Sequence, residues 1–274
     1  VPLACRRVGV VGVGHVGRRV AAFARALGCE LLLCDPPRAR AEGADGFVNL
    51  AEVLRRADLL TLHVPLARGG PDPTWHLIGA REMAVLGDGA LLVNAARGAV
   101  VDSAALAAER GRIVALLDVF EDEPEVAPEL VAAAALATPH VAGHSLDGKI
   151  RATRTVYEAT CAALGLVPAW PSAASPDPPQ PDRLAIDTAG RRDEAIVLAA
   201  LAPFYSIAAD DAALRRIVTL PSGERGEAFE RHRTAATARR EPHGVAFALA
   251  PERPTAAAAL AALGLQPCGA GDPA

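Results

Sequence analysis

Three side chains suited to handling protons and carboxylates sit at the ends of apolar runs in this chain. They are Arg97 in NAARGAVVD (94 to 102), Glu123 in LDVFEDEP (117 to 124) and His140 in PHVAGHS (139 to 145). A histidine titrates near neutrality and suits the role of base toward a hydroxyl proton. An arginine fork binds a carboxylate with two hydrogen bonds while polarising a developing carbonyl. A carboxylate beside the histidine raises its pKa and fixes its tautomer. Together the three would suit hydride removal from C2 of a 2-hydroxy acid. Singly, each has a plainer reading: Arg97 as a surface arginine, Glu123 as one of a solvated acidic group with Glu121, Asp122 and Glu125, and His140 as a satisfied histidine at a strand end.

Such chemistry needs a hydride acceptor, and the start of the chain offers a place for one. Gly12-Val13-Gly14-His15-Val16-Gly17 fits G-x-G-x-x-G directly after the apolar run VGVVG and opens the helical pattern RRVAAFARALG. The first glycine permits a tight turn, the second lets a pyrophosphate approach the backbone, and the third lets helix and strand pack closely. The anion then rests on a helix N-terminus. Asp35 ends the next apolar run, 18 residues after Gly17. There an acidic side chain accepts hydrogen bonds from ribose hydroxyls and repels a 2′-phosphate, which favours NAD over NADP. Arg38 and Arg40 pull the other way, since arginine is what a 2′-phosphate would need, and Asp35 has a plainer role as a cap before Pro36-Pro37.

The elements that must position these residues are short apolar runs separated by helix-length spacers: VGVVG (8 to 12), ELLLCD (30 to 35), LLTLHV (59 to 64), ALLVNA (90 to 95), VALLDV (114 to 119) and LATPH (136 to 140). Continuous apolar strands joined by crossovers predict an α/β fold, a doubly wound parallel sheet of the Rossmann type, over 1–145. Ligands in such sheets bind beyond the carboxyl ends of the strands, where all three candidate segments fall. A long amphipathic helix is expected over 146–167, beginning at Ser145 and stopping near Gly165. A proline-rich linker follows over 168–182. A small α+β domain completes the chain over 183–274, with strands at RLAIDT (183 to 188) and GVAFALA (244 to 250). It carries no nucleophile, metal or phosphate motif, so its expected role is assembly.

Composition narrows the class of partner. The chain has 274 residues, 51% of them hydrophobic and 22% charged, with a net charge of −4. Two domains are expected, and neither disorder nor a nucleic-acid footprint is indicated. Lys149 is the single lysine among 28 basic residues. Five cysteines without a C-x-x-C pair argue against a zinc site or a disulfide framework and suggest a reducing cytoplasm. No metal is expected. No run approaches the roughly 18 apolar residues of a membrane span, and no signal peptide is recognisable, so a soluble protein is expected.

Taken in order, GVGHVG, CDPP, N-x-x-R-G-x-x-V-D, L-D-V-F-x-x-E-P and P-H-x-A-G resemble the D-isomer-specific 2-hydroxyacid dehydrogenases. CDPPRA, NAARGAVVD, the A-G-x-S-L-D-G-K run (142 to 149) and the segment ADDAALRRIV are most similar to the branch of vitamin B6 biosynthesis that oxidises 4-phospho-D-erythronate. The resemblance implies Arg97 as the substrate-binding arginine, His140 as the base and Glu123 as its partner. It implies NAD contacts at Gly12, Gly14, His15, Val16 and Gly17, at Asp35, at Val64, at the backbone of Ala95, Ala96 and Arg97, and at Asp118 and Gly143. It further implies a small phosphorylated 2-hydroxy acid as substrate and a homodimer through the C-terminal domain.

Two positions depart from that branch: His144 stands where a tyrosine is usual, at a substrate-binding position, and Val64 where a threonine is usual. Relatives also carry a substrate lobe of about one domain ahead of the glycine turn. Only seven residues precede Val8 here, so the expectation is a chain that binds NAD but turns over poorly, with an apolar face of the long helix uncovered. The other readings are a phosphoglycerate or hydroxypyruvate enzyme of the same superfamily, or a dimerising dinucleotide-binding module without turnover.

Overall fold

The computed structural model describes residues 6–170 and 181–268. Most of the expected linker, residues 171–180, lies outside the described residues, as do 1–5 and 269–274.

Six strands form one parallel sheet in the order β2-β1-β3-β4-β5-β6. They are β1 (Arg7–Val11), β2 (Glu30–Cys34), β3 (Leu59–Leu62), β4 (Leu91–Asn94), β5 (Val114–Leu117) and β6 (Leu136–Ala137). Each overlaps one of the six apolar runs: β1 is shifted one residue toward the N-terminus, and β2 to β6 are shorter than their runs by one to three residues, mostly because the last residues turn out of the sheet. Alternate side chains of one strand enter different cores: Val8 and Val10 of β1 join one cluster, Val11 the other. That is why these strands read as continuous apolar runs, since neither face meets water. The crossovers carry α1 (Gly17–Ala26), α2 (Pro36–Glu42), α3 (Leu50–Arg56), α4 (Ala80–Val85), α5 (Ser103–Ala108) and α6 (Pro128–Ala133). The strand order reverses between β1 and β3, which opens a crevice at the carboxyl end of β1, where ligands bind in such sheets.

The long helix α7 runs Leu146–Ala163. Ser145 caps it by accepting the Gly148 N–H at 2.9 Å, and Gly165, at φ +67°, ends it in the left-handed region. Only Cys161 of this helix is buried, and Val156 remains 67% exposed.

The C-terminal part holds β7 (Arg183–Asp187), α8 (Asp193–Leu201), α9 (Ile207–Ile217), α10 (Glu224–Ala235), β8 (Ala246–Ala250), α11 (Pro254–Ala262) and β9 (Gln266–Pro267). Its three strands pair in parallel in the order β7-β8-β9, and β9 carries no sequence pattern that would announce it. This part shares both cores of the large sheet. Leu184, Ile186, Ile196, Phe247 and Leu260 pack with β1 and α1, whereas Leu214 and Phe229 join the core on the other face. Among the described residues no helix is long and apolar enough to cross a membrane.

Candidate active site

The glycine turn leaves β1 with Gly12 at φ +86°, a conformation that a side chain strains. A Cβ there would also lie 2.7 Å from the His63 backbone. A Cβ on Gly17 would collide with the Gly12 carbonyl oxygen, so the third glycine lets α1 approach the strand. Gly14, by contrast, faces open space, with nothing within 4 Å of where a Cβ would stand. The turn is thus closed where it packs and open where a pyrophosphate would approach. His15 and Val16 stand exposed beside it, and His15 Nδ1 lies 3.0 Å from Arg18 Nη2.

Asp35 serves two purposes at once. One carboxylate oxygen accepts the Val13 N–H at 2.8 Å and so holds the turn, and the other accepts the Arg38 N–H at 3.1 Å and caps α2. The cap reading and the ribose reading are therefore compatible, because each oxygen retains a second lone pair. Arg38 is committed elsewhere: it donates to the Val13 carbonyl at 2.6 Å and to Glu42. Arg40 is paired with Asp72. Both arginines that would suit a 2′-phosphate already hold carboxylates, which leaves the preference set by Asp35. A cavity of about 280 Å³ lies between Gly12, Gly14, Asp35, His63, Val64 and Thr74, the right place for the adenosine end of a dinucleotide.

At the carboxyl ends of β4 to β6 the other candidates gather. Asn94, 1% exposed, shapes the turn after β4: its side chain donates to the Arg97 carbonyl at 3.0 Å and accepts the Ala96 N–H at 3.1 Å. Ala95 lines a second cavity and Ala96 is buried. Arg97 is exposed, and the one hydrogen bond of its guanidinium among the described residues runs from Nη1 to the Ala96 carbonyl at 2.6 Å. Among the described residues no carboxylate pairs with the guanidinium. Gly98 has no room for a side chain, because a Cβ would collide with the Phe120 carbonyl. Neither Asn94 nor Gly98 was picked out as a site residue from the sequence, although N-x-x-R-G after an apolar strand was the available signal.

His140 and Glu123 meet. His140 Nδ1 lies 2.6 Å from Glu123 Oε2, while Glu123 Oε1 accepts the Phe120 N–H at 2.7 Å. The hydrogen bond to Glu123, opposed by partial burial, holds the His140 pKa above the ordinary imidazole value. His140 itself sits at φ +53°. Its backbone N–H donates to the Asp118 carbonyl at 2.7 Å, and the Asp118 carboxylate accepts the Thr138 hydroxyl and the Val141 and Ala142 N–H groups. Burial pushes the Asp118 pKa up against the pull of those three bonds. Gly143 is exposed with open space around it. His144 presents its ring edge to His140 with centroids 6.2 Å apart, and burial holds its pKa below the ordinary value. Its Nδ1 is buried without a hydrogen-bond partner among the described residues.

The second cavity, about 430 Å³, brings residues that no motif flagged beside Asn94, Ala95, Asp118 and Ala142: Tyr205, Arg239, Arg240 and Glu241 from the C-terminal part. Burial drives the Tyr205 pKa upward, and the Arg239 guanidinium lies 4.5 Å from the centre of its ring.

This geometry can be set beside known proteins. Residues 1–142 match the model of the D-isomer specific 2-hydroxyacid dehydrogenase, NAD binding domain. The chain is 47% identical over 249 residues to the erythronate-4-phosphate dehydrogenase of Salinibacter ruber, covering 86% of this chain and 62% of that protein. It is 43% identical over 266 residues to the enzyme of the same name from Stutzerimonas stutzeri, covering 96% of this chain and 69% of that protein. The chain therefore spans roughly two thirds of the length of these relatives. Among solved structures, D-lactate dehydrogenase from Aquifex aeolicus, complexed with NAD and lactic acid, is similar with a TM-score of 0.51 and 30% identity, covering 60% of this chain and 55% of that one. An NAD-complexed 2-hydroxyacid dehydrogenase from Lactobacillus delbrueckii ssp. bulgaricus matches at a TM-score of 0.51 and 26% identity, over 61% of this chain and 56% of that one. The glycine turn, the Asp35 that holds it and the histidine–glutamate pair are thus carried on a chain that belongs to the NAD-dependent D-isomer-specific 2-hydroxyacid dehydrogenases.

Proposed function

We propose that this chain oxidises 4-phospho-D-erythronate to 2-oxo-3-hydroxy-4-phosphobutanoate with NAD, a step of pyridoxal phosphate formation. The observation that carries the reading is the His140–Glu123 pair at 2.6 Å at the carboxyl end of the sheet, in a chain 47% identical to a relative named for that reaction. The open face of Gly14 and the cavity bounded by Asp35 fit NAD.

When bound, NAD supplies the hydride acceptor for the hydrogen on C2. His140 Nε2 takes the proton of the C2 hydroxyl as the carbonyl forms. Glu123 keeps the Nδ1 proton in place, which leaves Nε2 basic, and it then stabilises the imidazolium. Arg97, free of any carboxylate partner among the described residues, binds the substrate carboxylate. His144, its ring edge-on to His140, contacts substrate from the neighbouring turn. His15, Val16, Val64, Ala95, Ala96, Asp118 and Gly143 line the path of the cofactor.

We further infer a homodimer formed through the C-terminal part, whose Leu198 and Ile207 remain 68% and 45% exposed, and a reducing cytoplasmic setting, which suits the buried free thiols of Cys29, Cys34 and Cys161. Sedimentation tests the dimer. The function is tested by NADH formation with 4-phospho-D-erythronate against D-3-phosphoglycerate and D-lactate. Turnover with the first substrate above the others is expected. A folded, NADH-binding sample that oxidises none of them overturns the reading.

A further inference from the structure

The two loops of the acid–base pair are joined by one stretch of the C-terminal part. Glu125, two residues beyond Glu123, accepts the Gly223 and Gly226 N–H groups at 3.0 Å each, at the start of α10. Gly226 is pressed so close that a Cβ would lie 2.7 Å from Glu125 Oε1 and 3.3 Å from Pro124. Along the same helix Phe229, fully buried, inserts into the core of the large sheet. The chain then emerges on the other side of the site. Arg239 donates to the carbonyls of Val141 and Ala142 at 3.1 and 3.3 Å, and its own carbonyl accepts the Leu146 N–H at 2.9 Å. Arg240 and the Glu241 N–H bind Asp147, and Glu241 accepts the Ser145 hydroxyl at 2.6 Å.

We propose that residues 223–241 are a splint that holds the His140 and Glu123 loops at their hydrogen-bonding distance, with Glu125 and Arg239 as its positioning residues. The inference rests on the reading of His140 and Glu123 as the acid–base pair. Both loops need such support. His140 adopts a left-handed backbone that persists only when its surroundings over-determine it, and Glu123 leaves the sheet on a loop with no regular structure. Val141 and Ala142 are held at their N–H groups by Asp118 and at their carbonyls by Arg239, so the peptides after His140 are fixed from two directions. A C-terminal part expected only to assemble dimers thereby sets the basicity of a histidine about a hundred residues earlier.

The test reads His140 by NMR titration of the full chain, with His140→Gln to assign its signal, so it needs no turnover. The charged and titratable groups facing His140 are Glu123, Asp118, His144 and Arg233. The splint predicts that Arg239→Ala and Glu125→Ala each lower the His140 midpoint toward the ordinary value by about half a unit or more, roughly a threefold change in the protonation constant. Arg239→Lys and Glu125→Gln, which keep a donor and an acceptor, should restore most of the shift. Arg253→Ala, which breaks a C-terminal ion pair with Asp193, should leave the midpoint alone. An unchanged midpoint in folded Arg239→Ala and Glu125→Ala overturns the proposal. If either variant unfolds, hydrogen exchange on the unaltered chain decides: the Phe120 and Val141 amides should open together with those of α10, and independent opening overturns the splint. Loss of turnover with a normal His140 titration would instead count against the proposed substrate alone.

Discussion

At the glycine-turn end, Asp35 reaches Val13 across 22 residues of sequence and Arg38 reaches it across 25. At the acid–base end, Arg239 reaches Val141 across 98 residues and Gly226 reaches Glu125 across 101. Closing a loop four times as long costs only about 1.2 kcal/mol more in chain entropy. The difference is therefore less one of cost than of dependence. The glycine turn and Asp35 are held within one β-α-β unit, whereas the loops of the acid–base pair are also held by hydrogen bonds from the C-terminal part.

The largest effect expected from this contrast is on turnover. His140→Ala should reduce the rate of NADH formation by about 10²- to 10⁴-fold while NADH affinity, read by fluorescence titration, stays unchanged. Parallel loss of both would erase the distinction between the two ends. Next in size is Phe229→Ala, which opens a void in the core of the large sheet from the C-terminal side. A loss of about 3–5 kcal/mol in urea unfolding is expected, in one transition seen by every probe. A small loss confined to a separate transition would make the C-terminal part a passenger.

Asp35→Ala acts only at the local end. It removes a helix cap and the acceptor for Val13, with an expected cost of about 0.5–2 kcal/mol, and it should narrow the ratio of NADP to NAD dissociation constants. His140 activity at saturating NAD should survive. The smallest change is in pH dependence. Glu123 holds the His140 pKa above the ordinary value, and the proposed oxidation needs the neutral imidazole, so the rate should rise with pH through that raised value. Glu123→Gln should move this rise to lower pH by about one unit. The same pair contributes stability that is fully present below the ordinary histidine pKa and disappears as pH climbs through the raised one. The stability difference between parent and Glu123→Gln should accordingly shrink from mildly acidic toward alkaline pH.

Much of the site was legible because its signals are short-range. The glycine spacing announces a tight turn and a close helix approach, and the structure assigns a separate physical reason to each glycine. Arg38 and Arg40 were ambiguous for a different reason. Their type suited a 2′-phosphate, and only their carboxylate partners, Glu42 four residues on and Asp72 far along the chain, remove them from that role. Asn94 and Gly98 went unnoticed as site residues because their work is backbone fitting: one satisfies the turn before Arg97, the other vacates space for the Phe120 carbonyl.

The six strands, the glycine turn, the long helix and the candidacy of Arg97, Glu123 and His140 follow from the sequence alone, because apolar runs, cap residues and ordered motifs express local energetics. Tertiary structure alone decided three things: the 2.6 Å approach of His140 to Glu123, the sharing of both cores with the C-terminal part, and the grip of Glu125 and Arg239 on the two loops. Each is a contact between residues separated by many others, and no periodicity or spacing records such a contact. It exists only once the hydrophobic surfaces of the intervening elements have been buried against one another.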